Sequence, residues 1–168
     1  LDGIDGLVAG VSAVMGISLA VINIMGQNAI LALLTLALTG ASLGFLPYNY
    51  SPARIFLGDS GSLTIGLVLS CIGVLSVFGE PGHGGASPLI TVPLILFGLP
   101  LFDTLRVMMN RFMSGQPIFQ ADKNHVHHCL LRMGLTQKQA AWVLYSISGI
   151  TGMIAVILAT LPAERQLV

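Results

Sequence analysis

Residues Leu7–Met25 read LVAGVSAVMGISLAVINIM, a run with no charged side chain. About 20 helical residues cross the roughly 30 Å apolar core of a bilayer, so this stretch alone is long enough to span one. Four further runs of similar character follow, at approximately Ala29–Leu46, Leu63–Phe78, Ser87–Met108 and Ala140–Leu161. In the fourth, Pro88, Pro93 and Pro100 predict a kinked or interrupted helix. The chain is 54% hydrophobic and 8% charged, with a mean hydropathy of +0.87, whereas a soluble domain is about a quarter charged. The expectation is an all-α polytopic membrane protein with about five transmembrane helices in a single region spanning 1–168. Small residues four apart, Gly6 with Gly10 and Gly40 with Gly44, predict close helix–helix approach.

Charge sorting orients the bundle. If the helices alternate, one side receives the residues before Leu7 and two loops, approximately 47–62 and 110–139. That side holds Arg54, Arg106, Arg111, Lys123, Arg132 and Lys138, and the other holds Arg165. By the positive-inside rule the rich side is cytoplasmic, in an inner (plasma) membrane. Asp2, Asp5, Asp59, Asp103 and Asp122 fall on the same side, with three of the four histidines. A transporter more often keeps such groups near mid-span; here they sit at helix ends, which favours a site at the membrane–cytosol boundary. Net charge is zero, which argues against a nucleic-acid partner. Cys71 lies in an apolar run and Cys129 in a polar loop, so no disulfide between them is expected.

Three clusters could carry chemistry. In Leu1-Asp2-Gly3-Ile4-Asp5-Gly6, the two aspartates share a face if the segment is helical. They could cap the following helix, or the glycines could let a ligand approach the backbone. Phe56-Leu57-Gly58-Asp59-Ser60-Gly61-Ser62 leads into the third run. Asp59 or Ser60 could cap that helix, or Asp59 could ligate Mg²⁺ beside a diphosphate. Asp122-Lys123-Asn124-His125-Val126-His127-His128 lacks the second ligand pair of a zinc site. It is either an interfacial loop or an electropositive phosphate-binding pocket. Asp103 and Arg106, three apart, read as a salt-bridged helix end, and His83 takes no role.

D-G-I-D-G-L, F-L-G-D-S-G-S and H-V-H-H, in this order and separated by spans, resemble the polyprenyl-phosphate N-acetylhexosamine-1-phosphate transferases. The resemblance is densest over Tyr48–Ser62 and from Pro100 (P-L-F-D-T) to Gly134 (L-L-R-M-G), and it covers essentially the whole chain. It implies a bundle of about ten or eleven helices, of which this chain is the C-terminal half, with a Mg²⁺-dependent (alternatively Mn²⁺-dependent) cytoplasmic site. There a polyprenyl phosphate such as undecaprenyl phosphate attacks a UDP-sugar and UMP leaves. By that similarity Asp59 is a metal ligand. Asp2 and Asp5 belong to the motif linked to the nucleotide. His125, His127 and His128 lie near the diphosphate and sugar, with Lys123 and Arg111 among the substrate-binding residues. A homodimer is one assembly the resemblance allows.

The H-V-H-H form is similar to the N-acetylglucosamine-1-phosphate branch, which starts enterobacterial common antigen, O-antigen or teichoic acid synthesis. The peptidoglycan enzyme, phospho-N-acetylmuramoyl-pentapeptide transferase, is the alternative. Lys123, Val126 and Cys129 stand where arginine, isoleucine and arginine are common. The family's aspartate-rich motif belongs to an N-terminal half that this chain does not contain, so these residues alone are expected to be inactive. A cation transporter and an inactive membrane remnant are the readings from other classes.

Overall fold

The computed structural model describes residues 3–77, 91–115, 117 and 125–160. Its regular elements are α1 (Leu7–Met25), α2 (Ala29–Asn49), α3 (Gly58–Val77), α4 (Thr91–Leu96), α5 (Gly98–Met113), α6 (Val126–Arg132) and α7 (Gln137–Thr160), with no strand among the described residues. The all-α membrane class is as the composition predicts. Four helices, α1, α2, α3 and α7, are each long and apolar enough to cross a membrane.

The fifth expected crossing falls on the α4–α5 pair. The chain breaks between them at Phe97, where Phe97 N still donates to Pro93 O (2.9 Å) and Leu101 N to Phe97 O (3.0 Å). Pro93 and Pro100 flank the break, and neither has an N–H to continue the ladder. The start of that expected run, with Pro88, His83 and the short loop around them, lies outside the described residues. Loop boundaries also move. The segment expected as a loop over 47–62 is helical at both ends, since α2 runs through Pro47 to Asn49 and α3 begins at Gly58. The second loop, over 110–139, contains α6 and the adjoining ends of α5 and α7.

α1 is the axis of the bundle. Leu7, Val11, Met15, Leu19 and Ile22 are all buried, at the three- and four-residue spacing that makes one continuous ridge. α2 and α7 pack on it through missing side chains. A Cβ at Gly16 would strike Thr39 Oγ1 on α2. One at Gly10 would strike the Tyr145 ring on α7, and one at Gly152 would strike Ser18 Oγ on α1. The Gly6–Gly10 expectation therefore holds, whereas Gly40 and Gly44 have nothing within 4 Å. They lie on exposed positions of α2, away from α1.

Several polar groups within these seams are satisfied locally, as an apolar solvent demands, while Ser42 Oγ on α2 and Ser148 Oγ on α7 are buried without a partner among the described residues. Thr35 Oγ1 donates to Leu31 O (2.6 Å) and Thr39 Oγ1 to Thr35 O (2.7 Å). At the far end of α1, Ser76 Oγ donates to Asn23 Oδ1 (2.8 Å), tying α3 to α1. The outward faces carry Leu33, Leu34, Leu36, Leu67, Leu75, Met153 and Ile157, all exposed. Water would make that surface an aggregation site, and a bilayer makes it the expected one.

Candidate active site at one end of the bundle

The Gly3–Gly6 segment enters α1 through Gly6, whose φ of 78° puts it in the left-handed region that glycine adopts without a Cβ penalty. Four hydrogen bonds hold the segment and its neighbour. Asp5 Oδ2 accepts from Ala53 N (3.0 Å) and Asn49 Oδ1 from Gly6 N (3.1 Å). Asn49 Nδ2 donates to Ile55 O (3.0 Å), and Tyr145 Oη donates to Gly6 O (2.6 Å). The entrance to α1 is thereby joined to the loop after α2 and to α7. Neither aspartate reading of the sequence anticipated this use of Asp5: one carboxylate oxygen bridges two loops rather than capping α1. Beside it, Trp142 Nε1 donates to Tyr50 Oη (2.9 Å) and Lys138 Nζ lies 5.7 Å from the centre of the Tyr50 ring. An aromatic and cationic border of this kind suits a membrane–water interface.

The histidine motif folds as the start of α6. His125 is the N-cap, but its side chain makes no capping bond. The cap comes from α5 instead, where Asp103 Oδ1 accepts from Val126 N (2.8 Å) and Asp103 Oδ2 lies 2.9 Å from His125 Nδ1. Asp103 is 1% exposed, and its partners are His125 and Val126, so the salt bridge to Arg106 expected from their spacing is not formed. Arg106 Nη2 reaches Cys129 Sγ (3.5 Å), as does Arg132 Nη2 (3.2 Å). The Arg132 hydrogen bond is the main cause holding the Cys129 thiol below its ordinary value. Neither cysteine forms a disulfide.

The three imidazoles form a short stack. His125 and His127 are nearly parallel with centroids 5.8 Å apart, and His127 and His128 tilt at 43° with centroids 4.3 Å apart. His127 is 2% exposed, and neither of its ring nitrogens has a hydrogen-bond partner. Its Nε2 edge lies against Gly3, where any Cβ would collide with the ring. The first and third sequence motifs therefore meet at this contact. Burial, and then the charge of neighbouring His128, lower His127 from 6.5 to about 4. At neutral pH it is a neutral imidazole. This ring therefore adds no positive charge of its own to the histidine segment, because desolvation outweighs the basic neighbourhood.

Asp59 occupies the first turn of α3 and is exposed. Because the helix already begins at Gly58, with φ 68°, Asp59 and Ser60 are inside the helix rather than capping it, where a carboxylate favours the helix dipole. Among the described residues, no hydrogen bond, ion pair or ring contact joins Asp59 to the histidines, and no group of three or more His, Cys, Asp or Glu could enclose a metal. Arg111 is buried on α5, its Nη1 donating to Pro117 O (3.0 Å). Asp2, Asp122 and Lys123 lie outside the described residues.

Next to α3's first turn is an apolar cavity of about 320 Å³ between α1, α3 and the α4–α5 break. Its walls include Val11, Met15, Leu63, Leu69, Phe97 and Pro100, and Ser62, one turn from Asp59, lines it too. Sequence reading gave no site role to three residues of this end: Asn49, Asp103, which it read as a salt-bridged helix end, and Tyr145. Asn49 and Asp103 lie inside the stretches quoted for the resemblance, but their partners are far away in the chain, and Tyr145 sits in an apolar run with no motif around it.

Residues 1–77 match the description "Glycosyl transferase family 4". Over 94% of its length the chain is 36% identical to a probable undecaprenyl-phosphate N-acetylglucosaminyl 1-phosphate transferase of Bacillus subtilis, covering 43% of that protein. It is 31% identical over 89% of its length to a decaprenyl-phosphate N-acetylglucosaminephosphotransferase of Mycobacterium tuberculosis, covering 41% of it. It is 30% identical over 83% of its length to an undecaprenyl-phosphate alpha-N-acetylglucosaminyl 1-phosphate transferase of Escherichia coli, covering 38% of it. The chain thus spans about two fifths of the length of the curated relatives it matches. With all three motifs at one end of an all-helical membrane bundle, the chain belongs to glycosyl transferase family 4.

Proposed function

We propose that this chain is part of a phosphoglycosyl transferase that moves N-acetylglucosamine-1-phosphate from UDP-N-acetylglucosamine to a polyprenyl phosphate, releasing UMP. The observation that carries the reading is the contact of His127 with Gly3, which brings the histidine motif onto the first aspartate motif at one end of the bundle. Beside it the side chain of His125 is 30% exposed, and its ring offers a sugar hydroxyl a hydrogen-bond partner. The relatives' names supply the polyprenyl phosphate acceptor and the sugar.

Asp59 fits a Mg²⁺ ligand, being an exposed carboxylate at a helix N-terminus, since Mg²⁺ takes one or two carboxylates and completes its shell with water and phosphate oxygens. The bound ion would neutralise diphosphate charge, which dominates phosphoryl transfer. The N–H groups of α3's first turn add partial positive charge at the same place. The apolar cavity beside Ser62 suits the first isoprene units of the acceptor, holding its phosphate at the level of Asp59. Asp5, Lys123, Arg111, His125 and His128, with Asp2, would then contact or frame the nucleotide and sugar phosphate. The site faces the cytoplasm of the plasma membrane, following the charge sorting.

The test is UMP release by membranes containing the full-length protein, with polyprenyl phosphate and Mg²⁺. UDP-N-acetylglucosamine is compared with UDP-N-acetylmuramoyl-pentapeptide. Release with the first alone is expected, and release with the second alone would move the protein to peptidoglycan synthesis. Asp59→Asn and chelation of Mg²⁺ should each abolish release from normally inserted protein. Full activity after either overturns the metal assignment.

A further inference from the structure

Asp103 is the one carboxylate among the described residues that is almost completely buried, and both of its oxygens are committed to the N-terminus of α6. Oδ1 takes the Val126 N–H, a donor that the short helix cannot satisfy from within. Oδ2 lies 2.9 Å from His125 Nδ1. A carboxylate only accepts, so Nδ1 must carry a proton and the free lone pair of a neutral His125 is confined to Nε2. The 30% exposure of the His125 side chain leaves that second nitrogen open to a ligand, while the Asp103 side chain is 2% exposed.

We infer that Asp103 is a positioning residue of the transfer reaction: it sets the tautomer and orientation of His125 while clamping the histidine-bearing helix to α5. This rests on the transferase reading of the histidine motif. Two effects in one side chain can be separated, because asparagine caps a helix as well as aspartate does but cannot set the same tautomer. In Asp103→Asn the amide oxygen keeps the Val126 N–H, and the amide N–H then faces His125 Nδ1. The ring must present a lone pair there and carry its proton on Nε2.

The measurement is UMP release by full-length protein in membranes, normalised to the amount inserted, for wild type, Asp103→Asn, His125→Asn and the double variant. His125→Asn keeps a side-chain N–H for Asp103 and removes Nε2. Asp103→Asn is expected to lose on the order of 10- to 100-fold in turnover, the range for outer partners that orient a ligating histidine. The double variant should be no worse than His125→Asn, because residues acting as a unit are not additive. Wild-type turnover in Asp103→Asn, or multiplied losses in the double variant, overturns the inference. A fully active His125→Asn removes the histidine from the reaction, and the inference with it. A dead His125→Asn beside an active Asp103→Asn removes the inference alone. If Asp103→Asn fails to insert, ¹⁵N-histidine spectra of the wild-type protein in nanodiscs decide. A proton on His125 Nδ1 is expected, and one on Nε2 alone overturns it.

Discussion

Burial, and then the charge of His128, hold His127 near 4 in the folded protein against 6.5 for an unburied histidine. As pH falls, the unfolded form takes up this proton first. Stability is therefore unaffected above pH 6.5 and declines between pH 6.5 and about 4, by at most about 3 kcal/mol. The loss is local to α6, whose seat against Gly3 excludes water from the ring. Measured relative to intrinsic exchange, which itself slows as pH falls, amide protection over residues 125–132 should drop between pH 7 and pH 5 in the wild type. A His127→Gln variant, which has no proton to gain, should not show that drop. An equal drop in both would trace the effect to another group. The three histidines were legible in the sequence as a cluster. The burial of His127 was not, because it depends on Gly3, far away in the chain, having no side chain.

At the level of elements, the seams around α1 are decided by which glycine faces which partner. Spacing marked Gly6–Gly10 and Gly40–Gly44 alike, because a four-residue repeat identifies a small-residue stripe without saying what lies opposite it. Gly10 faces Tyr145, whose hydroxyl is already bound to Gly6 O, so the ring cannot swing aside without breaking that bond. Gly10→Ala should therefore destabilise the α1–α7 seam by about 1–3 kcal/mol, the usual cost of overpacking. Gly40→Ala, with nothing within 4 Å, should be neutral or stabilising by up to about 1 kcal/mol, the helix-propensity difference between the two residues. Thermal unfolding in detergent compares the pair, and similar midpoints for both variants would contradict the seam. The α4–α5 break was readable because proline acts locally. The early start of α3 was not, since a hydropathy run begins only after the polar G-D-S-G turn that the helix includes. α6 was also hidden: it has seven residues, and its cap comes from Asp103, 23 positions before Val126.

For the whole molecule, one asymmetry does most to define function. Among the described residues, the basic side chains and all three motifs collect at one end, while the opposite end offers only the Asn23–Ser76 clamp as a polar contact between helices. The alternation of spans carried this much in the sequence, because each crossing reverses side and the charges then sort themselves. It could not show that Asp5 and Asn49 bind the first loop to the second, or that the third motif closes over the first. Those contacts depend on how helices pack, not on which side they emerge. The two cysteines test the orientation directly. Cys129 lies at the polar end, its thiol lowered chiefly by Arg132 and so richer in the reactive thiolate. Cys71 is exposed on the outer face of α3 within an apolar span, where a water-soluble reagent has no access. In single-cysteine variants, a membrane-impermeant maleimide should label Cys129 in inverted vesicles and spare it in right-side-out ones. Cys71 should stay unlabelled in both until detergent is added. Labelling of Cys129 from the outer side would reverse the bundle and place the site where no cytoplasmic nucleotide sugar could reach it, so the proposed donor would fall with the orientation.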